Sequence, residues 1–417
     1  MSSRRRIILR RRVVLLLLLP FTALFYLYLA NRPPYALYDQ LTQKELASAQ
    51  DFLSRHEDHK FVVFQQLQGA GFNNQIQEIL LYHHLALITS RTYVFQPFIW
   101  RPRGHQPLPL SAFLPNPTKH SVPVSLFDQI CSLDETETTV HAVVNGSYES
   151  RWEESQEVLK GPERCIVMDN RILHWNYLAS SALEQVWPSF QQYLFQHFEW
   201  SAQILEIVER SQTHLNLRPY PTIAIEDQDD DPYMALHIRR GDFSSHCHTL
   251  AEAQTSFTTW AGLRSIKSSI LPPVLDTADP ENILLHCYSP LTRILDAVTL
   301  QARKHPHVRV LHILHDAAID HPKVWIDILK LETALQDPAW AARNGWGDSG
   351  PIRRITHSGM IPLNTGENDF AIAVDMELAR RAEVFIGNGY SSLSSQIIAL
   401  RMATENANGK TEDMTLL

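Results

Sequence analysis

Several signals of common enzyme classes are absent from this chain. The full P-loop pattern, Gly-x4-Gly-Lys-Ser/Thr, is missing, which disfavours an ordinary nucleoside triphosphatase. No Gly-x-Ser-x-Gly elbow is present, which argues against an α/β-hydrolase. The Gly-x-Gly at residues 69–71 has neither the third glycine nor the downstream acid of a dinucleotide-binding fingerprint. The sequence therefore has to be interpreted from other motifs.

Basic residues are scarce outside the N-terminus. The formal net charge is −8, but the first 32 residues hold seven arginines and no acid, which leaves −15 for the rest of the chain. Nucleic-acid binding needs a basic face that neutralises phosphates, so we expect no nucleic-acid partner. A length of 417 residues exceeds one compact core and indicates two domains.

Cysteine is also scarce, with only Cys131, Cys165, Cys247 and Cys287. No Cys-x-x-Cys is present, and the even number permits two disulfides in an oxidising compartment. We favour one bridge in each half, Cys131 with Cys165 and Cys247 with Cys287, although four cysteines allow three connectivities. The pairs His83-His84 and His246-x-His248 lack further ligands at zinc spacing, so we expect no metal.

The N-terminus is expected to anchor the chain in a membrane. Six arginines within residues 1–12 precede an uncharged apolar run at residues 13–30, which as a helix would span about 27 Å. The positive-inside rule then keeps the basic tail cytoplasmic and the body lumenal, as in a single-pass type II protein of the endoplasmic reticulum or Golgi membrane. The alternative is a cleaved signal peptide. It is disfavoured because Tyr28 stands where a cleavage site needs a small residue. Asn145 begins the only proline-free N-glycosylation sequon.

Beyond a stem at residues 31–59, the pattern is typical of an α/β protein. A buried strand is predicted at residues 60–64, followed by a glycine turn and a helix capped by Asn73 or Asn74. A second strand is expected at residues 91–95 and helical segments between residues 177 and 208. The acidic run at residues 226–231 has Asp-x-Asp spacing, but we interpret it as a solvated linker rather than a metal site.

The later part of the chain is predicted to form a second, mostly parallel sheet. Helical and strand patterns alternate between residues 260 and 335, residues 341–369 are loop-like, and a strand at residues 384–386 leads into a serine-rich helix start. Its central strand ends in His237-Ile238-Arg239-Arg240. A guanidinium beyond the carboxyl end of a strand suits a phosphate or carboxylate, and the alternative is an Arg-Asp turn held by a local salt bridge. Arg240 lies one step along an extended segment, so we expect it to point away from Arg239 and to be structural, with Asp242 as its partner.

Three motifs in this order resemble those of the GDP-fucose-dependent O-fucosyltransferases. They are Gly69-Ala70-Gly71-Phe72-Asn73-Asn74-Gln75, His237-Ile238-Arg239-Arg240-Gly241-Asp242-Phe243, and Phe385-Ile386-Gly387-Asn388 with Ser391-Ser392-Leu393-Ser394. The resemblance spans roughly residues 60–401. It implies a GT-B fold, in which two Rossmann-like domains face each other across a cleft. The expected divisions are an N-terminal acceptor-side domain at 60–218, a GDP-fucose-binding domain at 232–401 and a tail at 402–417.

The resemblance also implies roles for individual residues. Arg239 matches the arginine that contacts the β-phosphate and the departing oxygen, and Asp375 matches the acid that binds guanine. The implied nucleotide-sugar-binding set is Gly69, Ala70, Gly71, Phe72, Asn73, His237, Ile238, Arg239, Asp375, Ser392, Leu393 and Ser394. No cofactor is implied, since GDP-fucose is the donor substrate and no metal is needed.

The expected reaction is an inverting transfer of fucose to a hydroxyl, with Ser or Thr of a protein as the acceptor. One branch of the family has a glutamate base where this chain has Ala70, so the base is unassigned. Three possibilities remain open. The reaction is dissociative and a phosphate oxygen takes the proton, another carboxylate serves as the base, or activity is lost. Alternatives to a protein acceptor are a glycan chain or an inactive lumenal protein that binds a nucleotide sugar.

Overall fold

The structure is a computed structural model that describes residues 21–22, 24–25, 28–29, 32–55, 59–67, 69–99, 107–131, 139–221, 230–241, 243–316, 322–403 and 411–417. The basic tail and most of the predicted anchor lie outside this set. The anchor residues that belong to it are helical, and Phe21 and Leu24 among them are exposed. Among the described residues, no helix is long and apolar enough to cross a membrane.

The first half of the chain forms a five-stranded parallel sheet with the order β3-β2-β1-β5-β4. Strands β1 and β2 confirm the two strands that the sequence predicted, because each is a short apolar run next to turn residues. The strands are β1 (Phe61–Phe64), β2 (Thr92–Phe95), β3 (Val122–Pro123), β4 (Thr139–Ala142) and β5 (Cys165–Met168).

Seven helices of this half cover the sheet in the described ranges. Helix α2 is buried almost throughout, and α5 to α7 confirm the helical segments predicted between residues 177 and 208. The helices are α1 (Tyr35–Arg55), α2 (Phe72–Ile88), α3 (Phe127–Ile130), α4 (Arg151–Leu159), α5 (Trp175–Leu178), α6 (Leu183–His197) and α7 (Ala202–Leu215).

The second half forms another parallel sheet with the order β11-β10-β7-β8-β9, and β6 pairs with β7. The predictions of β7, β8 and β10 are confirmed. Strand β9 lies in the stretch predicted as a loop and β11 in the predicted tail, because short strands at or near a sheet edge give weak periodicity. The strands are β6 (Leu217–Arg218), β7 (Asp231–Ile238), β8 (Val310–His315), β9 (Arg354–His357), β10 (Val384–Gly387) and β11 (Met414–Leu416).

Helices again lie on both faces of this sheet. The alternation expected between residues 260 and 335 contains one strand, β8, and residues 283–287 belong to a helix. The helices are α8 (Phe243–Glu252), α9 (Pro280–Cys287), α10 (Leu291–Lys304), α11 (Pro322–Leu335), α12 (Pro338–Arg343), α13 (Ala371–Arg381) and α14 (Ser392–Met402).

The two halves share one hydrophobic core. Buried side chains of both sheets belong to a single cluster, which runs from Val62 in β1 to Met414 in β11. Aromatic rings join the halves directly, since Phe190 stacks on Trp260 at 4.8 Å and Phe113 meets Phe370 at 5.4 Å between ring centroids. This aromatic junction fixes one sheet against the other.

Two disulfides confirm the predicted pairing. Cys131 bonds to Cys165 and Cys247 bonds to Cys287, with Cα–Cα separations of 6.1 and 5.7 Å that are usual for disulfides. The first bridge joins the end of α3 to the amino end of β5. The second joins α8 to α9.

Candidate active site

The loops that follow β1, β7 and β10 meet at a cleft of about 630 Å³ between the two sheets. The carboxyl ends of parallel strands are where α/β folds usually bind ligands. The lining combines one arginine with several hydroxyl groups, the exposed ring of Trp175 and the buried rings of Phe243 and Tyr390. Its residues are Gly71, Asn74, Trp175, Arg239, Phe243, Ser245, His246, Thr249, Thr258, Tyr390, Ser391 and Ser392.

Arg239 lies at this cleft because it directly follows β7. Its Nε lies 2.8 Å from Oδ2 of Asp316, and its guanidinium carbon lies 5.0 Å from the centre of the Phe243 ring. The side chain remains 34% exposed. An ion pair on one side and an aromatic face on the other thus orient a guanidinium that still reaches solvent in the cleft.

Asp316 is the residue that fixes this turn. It follows β8, the neighbour of β7 in the sheet, and its Oδ1 accepts hydrogen bonds from the backbone N–H of Arg240 at 3.0 Å and of Gly241 at 3.2 Å. One carboxylate therefore holds both the backbone and the Arg239 side chain. Asp316 was not among the site residues predicted from the sequence. An acid directly after a buried strand could have indicated it as one.

Arg240 has a different environment from Arg239. It is buried, its Nε lies 3.7 Å from Asp327, and its guanidinium carbon lies 4.7 Å from the centre of the Tyr288 ring. It also donates a hydrogen bond to the carbonyl of Ser289. Successive side chains of an extended segment point to opposite faces, as expected from the sequence. Asp242, its predicted partner, lies outside the described residues.

His237 and Ser394 form an internal hydrogen bond instead of lining the cleft. Nδ1 of His237 lies 2.7 Å from Oγ of Ser394, and the same Oγ accepts the backbone N–H of Asn388 at 2.9 Å. Burial, reinforced by Arg239, lowers the pKa of His237 to about 3. Ile238 lies in the core on the opposite face. His237, Ile238 and Ser394 therefore lie behind the lining of the cleft and hold it in place.

The turn after β10 presents hydroxyl groups at the start of α14. Ser391 is the N-cap residue, and both Ser391 and Ser392 line the cleft. Leu393, predicted with them, packs half-buried against the core. Gly389 permits the close approach of this turn to Phe257, because an added Cβ would lie 2.5 Å from that ring. The positive end of the α14 dipole therefore points to the same space as Arg239.

The loop after β1 reaches the cleft from the opposite sheet. Gly69 has φ of +71°, a conformation that favours glycine, and the Gln75 amide donates to the carbonyls of Ala70 and Ile99 at 2.7 Å each. The predicted cap at Asn73 or Asn74 is wrong, since Gly71 is the N-cap and the backbone N–H of Asn74 bonds to its carbonyl at 3.1 Å. The helix therefore begins at Phe72, earlier than predicted.

The neighbouring side chains of this loop divide between cleft and core. Asn74 lines the cleft, whereas Phe72 packs against Phe98 at 5.2 Å in the core, so only its backbone is available to a ligand. Asn73 is buried, and its Oδ1 has no hydrogen-bond partner among the described residues. A buried carbonyl oxygen without a partner is unusual, and it fits a group that accepts a bond from a ligand.

Carboxylates are absent from the described lining of the cleft. Ala70 supplies none, and Asp375 lies elsewhere, with its Oδ1 3.6 Å from Nε2 of His312. Glu78 lies buried behind the loop, where it accepts the backbone N–H of Leu67 at 2.5 Å and pairs with Arg171 at 3.1 Å. Burial raises the pKa of Glu78 despite that arginine. None of these acids is placed at the cleft as a base.

One of the two histidine pairs weighed as zinc ligands, His83 with His84, has structural partners. His83 lies 2.7 Å from the Tyr193 hydroxyl and His84 lies 3.0 Å from that of Ser189, and burial lowers their pKa values to about 3 and about 4. Cys247, between His246 and His248, is in a disulfide. In the described ranges, no group of three or more His, Cys, Asp or Glu is arranged to hold a metal ion.

The structure thus has two parallel-sheet α/β domains that share a cleft, and the guanidinium of Arg239 is exposed in it. No protein-family model matches the chain, and no curated protein matches it in sequence. Among solved structures, POFUT1 in complex with GDP is similar with a TM-score of 0.50 and 12% identity, and POFUT1 in complex with GDP-fucose with 0.50 and 13%. Each comparison covers 84% of this chain and 96% of the POFUT1 chain. The chain therefore has a fold like that of POFUT1.

Proposed function

We propose that this chain is a glycosyltransferase that moves fucose from GDP-fucose to a hydroxyl, with Ser or Thr of a protein as acceptor, inversion at the sugar and no metal. The observation that supports this most is Arg239, fixed by Asp316 at a cleft whose other polar groups are mainly hydroxyls. The POFUT1-like fold and the three sequence motifs agree with it. The proposal includes the GT-B arrangement, with the nucleotide on the C-terminal sheet.

Arg239 has the central chemical role in this proposal. As the bond between fucose C1 and the phosphate oxygen breaks, its electron pair stays on GDP and negative charge grows on the β-phosphate. A guanidinium that is already oriented stabilises this charge more in the transition state than in the ground state. Ser391 and Ser392 at the start of α14 offer further donors to the same phosphates.

The other residues have supporting roles. Asn73 and Asn74 would meet the fucose and phosphate from the opposite sheet, and Asp375 would accept hydrogen bonds from the guanine. His237 and Ser394 would hold β7 against the turn before α14, which keeps Arg239 and the serines at a fixed separation.

A specific observation favours a second candidate function, a protein that binds a nucleotide sugar without turning it over. Ala70 and the carboxylate-free lining leave the acceptor hydroxyl without an acidic base in the described part of the cleft. Such a protein would bind GDP tightly and leave GDP-fucose intact. An acceptor screen with labelled GDP-fucose would distinguish a glycan acceptor from a protein acceptor.

The deciding experiment compares the detergent-solubilised chain with Arg239→Ala, in the presence of EDTA. We expect GDP-fucose turnover to fall on the order of 100-fold or more, as on removal of a charge-stabilising donor. Arg353→Ala is the matched control, because Arg353 is an exposed arginine that pairs with Asp231 near the amino end of β7. Unchanged turnover in Arg239→Ala rejects the mechanism, and GDP binding without any turnover by the wild type selects the binding protein.

The proposal also includes a lumenal body held by the predicted anchor at residues 13–30. Two disulfides suit an oxidising compartment, and Asn145 is exposed in an irregular segment between β4 and α4. A glycan there would produce a mobility shift that a glycosidase removes and that Asn145→Gln abolishes. A cytosolic, unglycosylated chain would contradict this part of the proposal.

A further inference from the structure

One side chain in the described cleft lining carries a basic ring nitrogen, and it is His246. The remaining polar side chains are the Arg239 guanidinium, the Asn74 amide, and hydroxyls of Ser, Thr and Tyr. Arginine stays charged in proteins, and amides and aliphatic hydroxyls are poor proton acceptors. Burial raises the pKa of Tyr390, so its phenol stays protonated.

His246 and Arg239 contact the same aromatic ring. The His246 ring centroid lies 5.2 Å from that of Phe243, and the Arg239 guanidinium carbon lies 5.0 Å from the centre of the same ring. Both side chains also line the same cleft. The imidazole is exposed to the cleft, where a hydroxyl acceptor would enter.

The helix that presents His246 is braced. Its neighbour Cys247 is fully buried and bonds to Cys287 in α9, and Phe243 is buried at the start of the same helix. The exposed imidazole thus projects from a helix that is covalently tied on its buried side. A rigid support of this kind is what a group needs to hold a reacting hydroxyl in place.

The charged surroundings of His246 are simple. Arg239 is the only charged side chain in the described lining. The titratable residues of α9 do not line the cleft in the described set, and Nδ1 of His286 there lies 2.9 Å from the carbonyl oxygen of Leu417. A neutral imidazole has one nitrogen lone pair that can accept a proton.

We propose that His246 is the general base that activates the acceptor hydroxyl, in place of the carboxylate that is absent at Ala70. The inference rests on the proposed function. The acceptor oxygen forms a bond to fucose C1 while the bond from C1 to the β-phosphate oxygen breaks, and that electron pair leaves with GDP. The acceptor proton passes to the imidazole nitrogen, and the imidazolium then releases it to solvent.

The test measures GDP-fucose turnover with water as the acceptor, so it needs no knowledge of the natural one. The full chain in detergent is compared with His246→Gln and with the control His248→Gln, whose histidine is exposed on the same helix outside the described lining. We expect His246→Gln to lower kcat by on the order of 100-fold, as for loss of a general base. GDP affinity should stay within about twofold, because the arginine and serines are unchanged.

The pH profile of kcat distinguishes a base from a merely structural residue. The wild type and His248→Gln should lose activity toward acidic pH, since the imidazolium cannot accept a proton, and His246→Gln should lose this acid limb. Imidazole added to His246→Ala should restore part of the rate. If His246→Gln keeps the wild-type kcat and acid limb, or changes only the KM for GDP-fucose, the inference is wrong while the proposed function stands. If the wild type neither binds GDP nor turns over GDP-fucose, both fail.

Discussion

The two edges of the cleft differ in charge and in how they are held. The edge from the C-terminal sheet presents Arg239, which a carboxylate and an aromatic ring orient, together with serine hydroxyls. The edge from the N-terminal sheet is uncharged in its described lining and presents Gly71, Asn74 and the exposed ring of Trp175. Under the proposed function, this difference predicts that the diphosphate binds at the charged edge, and that the sugar and the acceptor contact the neutral edge.

The largest expected effect tests whether the halves depend equally on their disulfides. The double variants Cys131→Ser/Cys165→Ser and Cys247→Ser/Cys287→Ser open loops of 34 and 40 residues, so each should lose about 4 kcal/mol of unfolding free energy. GDP-fucose turnover at a temperature where both variants are folded should fall only in the second, because α8 holds Phe243 and His246. Chemical denaturation and turnover assays measure the two effects. Equal loss of activity in both would show that α8 is not specially placed.

A smaller effect tests how the charged edge is fixed. Asp316→Asn keeps the shape of the side chain but removes the charge that orients Arg239, and we expect kcat to fall about 100-fold, as when a reacting group is misplaced. Asp231→Asn is the matched control, because it also pairs with arginines but lies at the amino end of β7. Steady-state kinetics provide the measurement. Wild-type kcat in Asp316→Asn would mean that Phe243 alone orients the guanidinium.

The smallest effect tests the neutral edge. Trp175→Ala removes an exposed ring from the acceptor side, so we expect KM for the acceptor to rise about tenfold, as for an interface residue worth more than 1 kcal/mol. The affinity for GDP, measured by calorimetry, should not change, because the phosphates lie on the other edge. Weakened GDP binding in this variant, of the size seen in Arg239→Ala, would contradict the division between the two edges.

The sequence predicted the parts of this molecule that lie within one element. Strands β1, β2, β7, β8 and β10 are apolar runs. The glycine turn, Arg239 and the serines come directly after β1, β7 and β10 in the chain. The alternation of side chains along an extended segment also separated Arg239 from Arg240 correctly. Local pattern is sufficient for such features because neighbouring residues determine them.

The rest of the site depends on topology. Asp316 acts on Arg239 only because β8 lies beside β7, and Trp175 meets the cleft only because the two sheets face each other. His237 and Ser394 were predicted to line the nucleotide, but the motif does not reveal that they bond to each other. Apart from the two disulfides, contacts between residues far apart in sequence were therefore not predicted from the sequence pattern.

The aromatic junction between the halves has a consequence for protein engineering. In many modular enzymes a domain can be replaced by that of a relative at a flexible linker, because few contacts cross the domain boundary. Here Phe190, Trp260, Phe113 and Phe370 interlock across that boundary. A chimera that takes its C-terminal half from another protein of this fold would leave these rings without matching partners, so an exchange of that half requires the junction to be transplanted with it.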